Sequence, residues 1–174
     1  DGSVSGFSTT FSIILQPLFP IANSVSITRL TIKNTLNPDF AGIIDVTLRL
    51  RDEYYPSAKV SVLSNATMLG RNEVFEALKK VDNPILKIDA ASDLLISKIN
   101  KPQGKYELET VVEALKKFEG DFVLQTMFLR SPDFDLTETL EQWRSLVRLL
   151  KPREIMVYTI DRETPDKTLG KYTV

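Results

Sequence analysis

Eight polar residues stand at the ends of short apolar runs, and their types set what chemistry the chain can attempt: Ser64, Asn65, Asp89, Gln125, Thr126, Thr159, Asp161 and Arg162. Hydroxyls and amides of this kind hold the polar atoms of a small ligand. Two carboxylates and a guanidinium could add acid–base work or an ionic contact. What is missing narrows the choice further. The 174 residues include neither cysteine nor histidine, so the chain has no thiolate nucleophile or thiolate metal ligand, and none of the side chain most often used as a general base near neutral pH.

Positioning such residues requires a scaffold, and the hydropathy pattern predicts one. Lys59 to Thr67, Pro84 to Ala90, Phe122 to Phe128 and Ile155 to Asp161 are β-branched or apolar runs closed by polar residues, the pattern of buried parallel strands that open into loops. Val25 to Ile32 alternates more strongly and reads as a strand with a wetter face. Helical stripes lie between the runs. Asn37-Pro-Asp reads as a cap, a proline in the first turn and an acid, followed by Phe40, Ile43, Ile44, Thr47 and Leu48, and Pro56 closes that helix. Asn72 and Ser92 are the expected caps of the next two helices, which bury Val74, Phe75 and Leu78, then Leu95 and Ile99 before Pro102. The stripe Leu108, Val111, Val112, Leu115, Phe118 ends at Gly120, and Leu140, Trp143, Val147, Leu150 ends at Lys151-Pro152, with Asp135 and Glu138 spaced as a capping box. Phe75, Phe118 and Trp143 fall on these stripes and read as core. Lys79-Lys80 and Lys116-Lys117 complement helix C-termini.

Strands alternating with helices of this length need crossovers, which predicts an α/β fold. A parallel-stranded partial or complete (βα) barrel with helices outside satisfies this, with a truncated or irregular N-terminal part, and so does an open doubly wound sheet. Residues 24–174 form the expected strand-and-helix unit. Residues 1–23 form an irregular segment with one strand at Thr10 to Leu15. In such folds ligands bind beyond the C-terminal strand ends, where the eight polar residues lie.

Composition excludes other classes. With 43% hydrophobic and 26% charged residues and a net charge of -1, the chain has core enough for one domain and no basic excess for nucleic acid. Phe11 to Ala22 is too short and too broken by Gln16, Pro17 and Pro20 to span a membrane, and a cytoplasmic location is the default expectation. Five good strands leave sheet edges to cover, which predicts a homodimer or a covering role for the N-terminal segment.

The polar strand ends, taken in order, carry a resemblance. Leu36-Asn-Pro-Asp-Phe, Val62-Leu-Ser-Asn-Ala-Thr, Leu86-Lys-Ile-Asp-Ala, Ile99-Asn-Lys-Pro, Leu124-Gln-Thr-Met-Phe and Tyr158-Thr-Ile-Asp-Arg resemble the middle and C-terminal parts of radical SAM proteins. The branch is the iron–sulfur oxidoreductases similar to wybutosine-synthesis enzymes, over about residues 24–174. The resemblance implies a partial barrel holding a [4Fe-4S] cluster on a Cys-x3-Cys-x2-Cys loop, with S-adenosylmethionine cleaved there to a radical. It implies cofactor contacts from Ser64, Asn65, Asp89, Gln125 and Thr126, and substrate contacts from Thr159, Asp161 and Arg162.

The departures from that pattern are equally specific. The cysteine loop is missing, Leu30-Thr-Ile-Lys-Asn-Thr stands where a Gly-x-Gly-Glu-Pro stretch is usual, and Asn37 replaces a frequent histidine. Iron–sulfur clusters need thiolates. The chain as written therefore supports no cofactor chemistry of its own, no catalytic residue and no metal ligand are assigned, and a small-molecule ligand at the strand ends remains the expected partner. The competing expectation is a non-catalytic or engineered α/β scaffold or binding module.

Each candidate also has a plainer role. Ser64 and Asn65 suit turns, Asp89 suits a helix cap or an ion pair with lysine, and Asp161 with Arg162 suits an exposed ion pair. Only one of Gln125 and Thr126 can face the barrel interior, because strand side chains alternate. A glycosidase-like pair of Asp89 and Asp161 is the remaining enzymatic alternative, with the two carboxylate positions undetermined by sequence.

Overall fold

The computed structural model describes residues 14–17, 27–32, 35–100, 102, 106–131, 136–160 and 168–171. Its elements in chain order are β1 (Ile14–Pro17), β2 (Ile27–Ile32), α1 (Phe40–Tyr54), β3 (Lys59–Ser64), α2 (Asn72–Lys80), β4 (Asn83–Lys87), α3 (Asp93–Asn100), α4 (Leu108–Lys116), β5 (Val123–Met127), α5 (Leu136–Leu150) and β6 (Glu154–Tyr158). The strands form one open sheet in the order β1-β2-β3-β4-β5-β6. β2 to β6 are mutually parallel, and β1 runs antiparallel along β2.

Sequential order has a geometric consequence. Each crossover steps in the same direction, so right-handed connections deposit every helix on one face of the sheet, as in a barrel and unlike a doubly wound sheet. The core shows this for α1, α2, α4 and α5. Val60, Val62, Leu86, Ile88, Phe122 and Leu124 pack in one cluster with Phe40 and Ile44 of α1, Val74 and Leu78 of α2, Val111 and Leu115 of α4, and Leu146 and Leu150 of α5. Phe118 ties the layers together, meeting Phe75 edge-on at 4.8 Å and Phe122 at 6.0 Å. The α/β partial barrel with outer helices is therefore the observed fold.

The alternate residues of the strands face the other way, away from α1, α2, α4 and α5 and toward the concave side. Register places Leu63 beside Ile85 and Val123, then Lys87 beside Gln125 and Met156, then Met127 beside Tyr158. At the opposite, N-terminal ends of the strands an ionic network closes the sheet. Asp82 accepts from Arg51 at 2.8 Å, Lys59 at 3.0 Å and the Val60 N–H at 2.9 Å. Arg153 reaches back to the Asp82 carbonyl and to Asn83. Burial pushes the Asp82 carboxyl up, but the Val60 N–H, Lys59 and Arg51 outweigh it and leave the group below its ordinary value.

Several local expectations need correcting. α1 begins at Phe40, two residues after the proline, because Asn37 turns back on itself and its side chain accepts the Asp39 N–H at 2.8 Å. Asn72 lies inside α2, whose N-cap is Arg71 with no side-chain cap bond. Ser92 does cap α3, receiving the Leu95 N–H at 3.3 Å, but Ile96 is the residue that helix buries. The Asp135 cap lies outside the described residues. Gly120 stops the turn after α4 with φ +86, and a Cβ there would meet the Lys151 carbonyl at 2.5 Å, so only glycine fits. The described part of the N-terminal strand is Ile14–Pro17, which overlaps the expected Thr10 to Leu15 at its end, the earlier residues lying outside the described ones, and it covers the β2 edge.

Candidate functional site

The C-terminal ends of β3, β4, β5 and β6 converge on one rim, and chain geometry divides the candidate residues there between the two sheet faces. Ser64 and Thr126 share parity with the core residues Val62 and Leu124, so both point toward the helices. Ser64 is buried, lies 3.2 Å from the Thr35 hydroxyl and accepts the Ala66 N–H at 3.1 Å. Thr126 is fully buried, donates to the Ile88 carbonyl at 2.8 Å and accepts from the Trp143 indole at 2.9 Å. The hydroxyls of both residues are engaged inside the fold. A ligand on the concave side meets neither.

Asn65 follows β3 and is exposed, but its side-chain carbonyl is committed to a turn, accepting from the Thr67 N–H at 3.3 Å and the Thr67 hydroxyl at 2.8 Å. That turn carries Ala66 into the left-handed region at φ 63, a conformation its neighbours' side chains hold in place. Thr159 is half-buried and already has an interaction partner. Asp161 and Arg162 lie outside the described residues.

Asp89 and Gln125 do reach the concave side. Asp89 is 1% exposed, accepts the Met127 N–H at 2.9 Å through Oδ1, and pairs through Oδ2 with the Lys87 ammonium. One carboxylate thus joins the end of β4 to the end of β5. The Ile88 N–H donates to the Gln125 carbonyl at 2.9 Å and reinforces the same junction. Gln125 is half-buried beside Lys87 and Met156.

Three residues outside the sequence candidates, Lys87, Tyr158 and Tyr106, complete the rim. Lys87 keeps 24% of its side chain exposed, pairs with Asp89, and shares a sheet face with Tyr158 two strands away. Burial raises the Tyr158 phenol, Lys87 opposes this, and Asp89 adds to it, with a net upward shift. Burial pushes the Tyr106 phenol up to about 12, and Asp93 and Asp89 push the same way. The signal for Lys87 was present in Pro84-Ile-Leu-Lys-Ile-Asp. A lysine and an aspartate two apart in a buried strand share a face and must pair.

This rim has polar groups set among Leu63, Met127 and Met156, a mixture suited to a small ligand with both apolar and polar parts. A separate cleft of about 620 Å³ lies between α2 and α4, lined by Phe75, Glu76, Glu109 and Glu113 among others, on the helix layer rather than at the strand ends. Among the described residues no group of three or more aspartates or glutamates is placed to hold a metal ion. No helix among them is long and apolar enough to cross a membrane.

With this geometry in hand, comparison with known proteins gives one relationship and one negative. The chain is similar to UPF0026 protein slr1464 of Synechocystis sp., with 31% identity over 108 residues, covering 60% of this chain. It spans 40% of that protein's length, so the likeness is partial and at family level. No protein-family model matches the chain.

Proposed function

We propose that this chain is the strand-and-helix body of a radical-SAM-like protein that binds a nucleoside-type small molecule on the sheet face opposite α1, α2, α4 and α5 and performs no radical chemistry with its own residues. The observation that supports this most is the sequential parallel sheet, with α1, α2, α4 and α5 packed on one face and Lys87, Gln125 and Tyr158 on the other, at the C-terminal ends of the strands. The family-level likeness to a UPF0026 protein agrees with this reading and adds no reaction to it. An iron–sulfur cluster does not fit the residues present, because such clusters are held by thiolates and the sequence has none.

S-adenosylmethionine fits better in kind. Its ribose and base offer hydroxyls and ring nitrogens that Gln125, Lys87 and Tyr158 would bind, while Leu63, Met127 and Met156 would receive the apolar surface. The experiment is a metal-free titration with S-adenosylmethionine, followed by calorimetry, alongside iron analysis of the purified protein. Saturable binding weakened at least fivefold by Gln125→Leu, with no bound iron, is the expected result. Absence of binding at millimolar ligand would overturn the nucleoside reading, and stoichiometric iron would overturn the non-catalytic one.

A second reading, a binding module or scaffold unrelated to that cofactor, is favoured by one observation. Ser64, Asn65 and Thr126 all direct their polar atoms into the protein's own turns and core. A cytoplasmic location and self-association through the β6 edge complete the proposal. β6 is an edge strand among the described residues, with Ile155 39% and Val157 56% exposed.

A further inference from the structure

We propose that the cleft between α2 and α4 is a docking groove for an extended segment of a partner protein that carries a single lysine or arginine. The facing residues of the two helices recur at helical spacing. Phe75 and Glu76 stand on the α2 wall, and Glu109, Glu113 and Lys117 recur every four residues along the α4 wall, around a space of about 620 Å³. Leu69 and Phe75 give this space an apolar lining, and Phe75 is backed edge-on by Phe118 at 4.8 Å. From Glu109 to Lys117 the wall is about 12 Å long, enough for roughly three or four residues of extended chain.

Charge selects the segment. Glu76 and Glu109 are exposed on opposite walls, and neither has an ion pair or side-chain hydrogen bond among the described residues. Glu113 is held by Lys116 of its own helix at 2.6 Å. Two unpaired like charges facing one groove repel each other, and a cation between them relieves both. The aromatic ring favours the same sign, and the Lys79 ammonium already lies 5.6 Å from the Phe75 centroid. A cation on an alkyl stem suits both parts of the groove, its head between the glutamates and its stem along Leu69 and Phe75. Lys117 then limits the occupant to one positive charge. A polyamine, positive along its whole length, meets that ammonium at the far end of the groove, whereas a peptide segment with one basic residue followed by neutral or acidic ones does not.

The test titrates three probes into the isotope-labelled protein, followed by amide chemical shifts: the capped peptide Lys-Leu-Ala-Glu, the same peptide with norleucine in place of lysine, and spermidine. The expected result is perturbation centred on Phe75, Glu76, Glu109 and Glu113 by the lysine peptide, with the norleucine peptide and spermidine each at least about fivefold weaker. Glu76 and Glu109 are exposed on helix surfaces, so Glu76→Gln and Glu109→Gln leave the fold intact, and each should weaken the lysine peptide by about two- to fivefold. The amides of Lys87 and Gln125, at the strand ends, should not move. Norleucine peptide binding as tightly as the lysine peptide, or both glutamine variants binding it unchanged, overturns the charge selection. Spermidine binding as tightly as the peptide overturns the assignment to a protein segment. No shift in the groove at millimolar lysine peptide overturns the proposal outright, and leaves the reading of the strand-end rim standing.

Discussion

Replacing Thr126 with valine removes one hydroxyl and almost nothing else, since both side chains are β-branched and of similar volume. That hydroxyl serves two groups at once, the Ile88 carbonyl at 2.8 Å and the Trp143 indole N–H at 2.9 Å. Leaving a buried carbonyl unpaired costs about 1–2 kcal/mol, and the half-buried indole, which recovers some water contact, about 1 kcal/mol. The extra methyl contributes roughly 0.8 kcal/mol in the other direction. The net expectation is a loss of about 1–2 kcal/mol, which at a urea m-value of about 2 kcal/mol/M lowers the midpoint by about 0.5–1 M. Trp143 is the single tryptophan of the chain, so its emission follows unfolding directly. A cycle with Trp143→Phe, all four proteins followed by far-ultraviolet circular dichroism because two of them lack tryptophan, should return a coupling of about 1 kcal/mol, because each single change already breaks the shared bond. Binding of a ligand to the concave face should be unaltered. A midpoint within about 0.2 M of the parent, with coupling below about 0.3 kcal/mol, would refute the view that Thr126 belongs to the core rather than to the site.

Other expectations follow from the ionic and edge features. The Asp82 carboxyl is held below its ordinary value of 3.8, so its stabilisation is present above that pH and is lost as pH falls below it; Asp82→Asn should cost about 2 kcal/mol at pH 7 and flatten the acid limb of a denaturation–pH profile. Tyr106 shifts the opposite way. With its folded value near 12 against 10, its stabilisation is full below pH 10 and declines between pH 10 and 12, and an ultraviolet titration should lose its latest phenolate step in Tyr106→Phe. Sedimentation velocity should show concentration-dependent association that Val157→Lys abolishes, and a monomer at all concentrations would count against the β6 interface.

How much of this was legible in the sequence depended on whether an element was set by its own periodicity. The runs around Val60-Val62, Leu86 and Leu124 carried their strands because β-branched and apolar residues bounded by polar ones admit few other conformations. The stripes of α4 and α5 were equally explicit. Helix starts were less so. Asn37 and Asn72 are good cap types, yet a local turn took one and the helix absorbed the other, and nothing in the pattern decides between those uses. The site divided along the same line. Alternation required that Gln125 and Thr126 point apart, but which faced the helices depended on how the neighbouring strands registered, and that is a property of pairing between segments far apart in sequence. Lys87 was visible as a charge in an apolar strand. Tyr158 and Tyr106 were not, since only the assembled rim brings their phenols near Asp89.

The strictly sequential strand order also bears on how the molecule is made. Every strand pairs with the one synthesised just before it. None of the six described strands must wait for a distant strand, and none has to be inserted between two already joined. Each newly emerged strand and helix can dock onto a finished edge, keeping loop-closure costs low and the exposed apolar edge one strand long at each stage. A sheet of this kind can assemble during synthesis, from its β1–β2 pair outward.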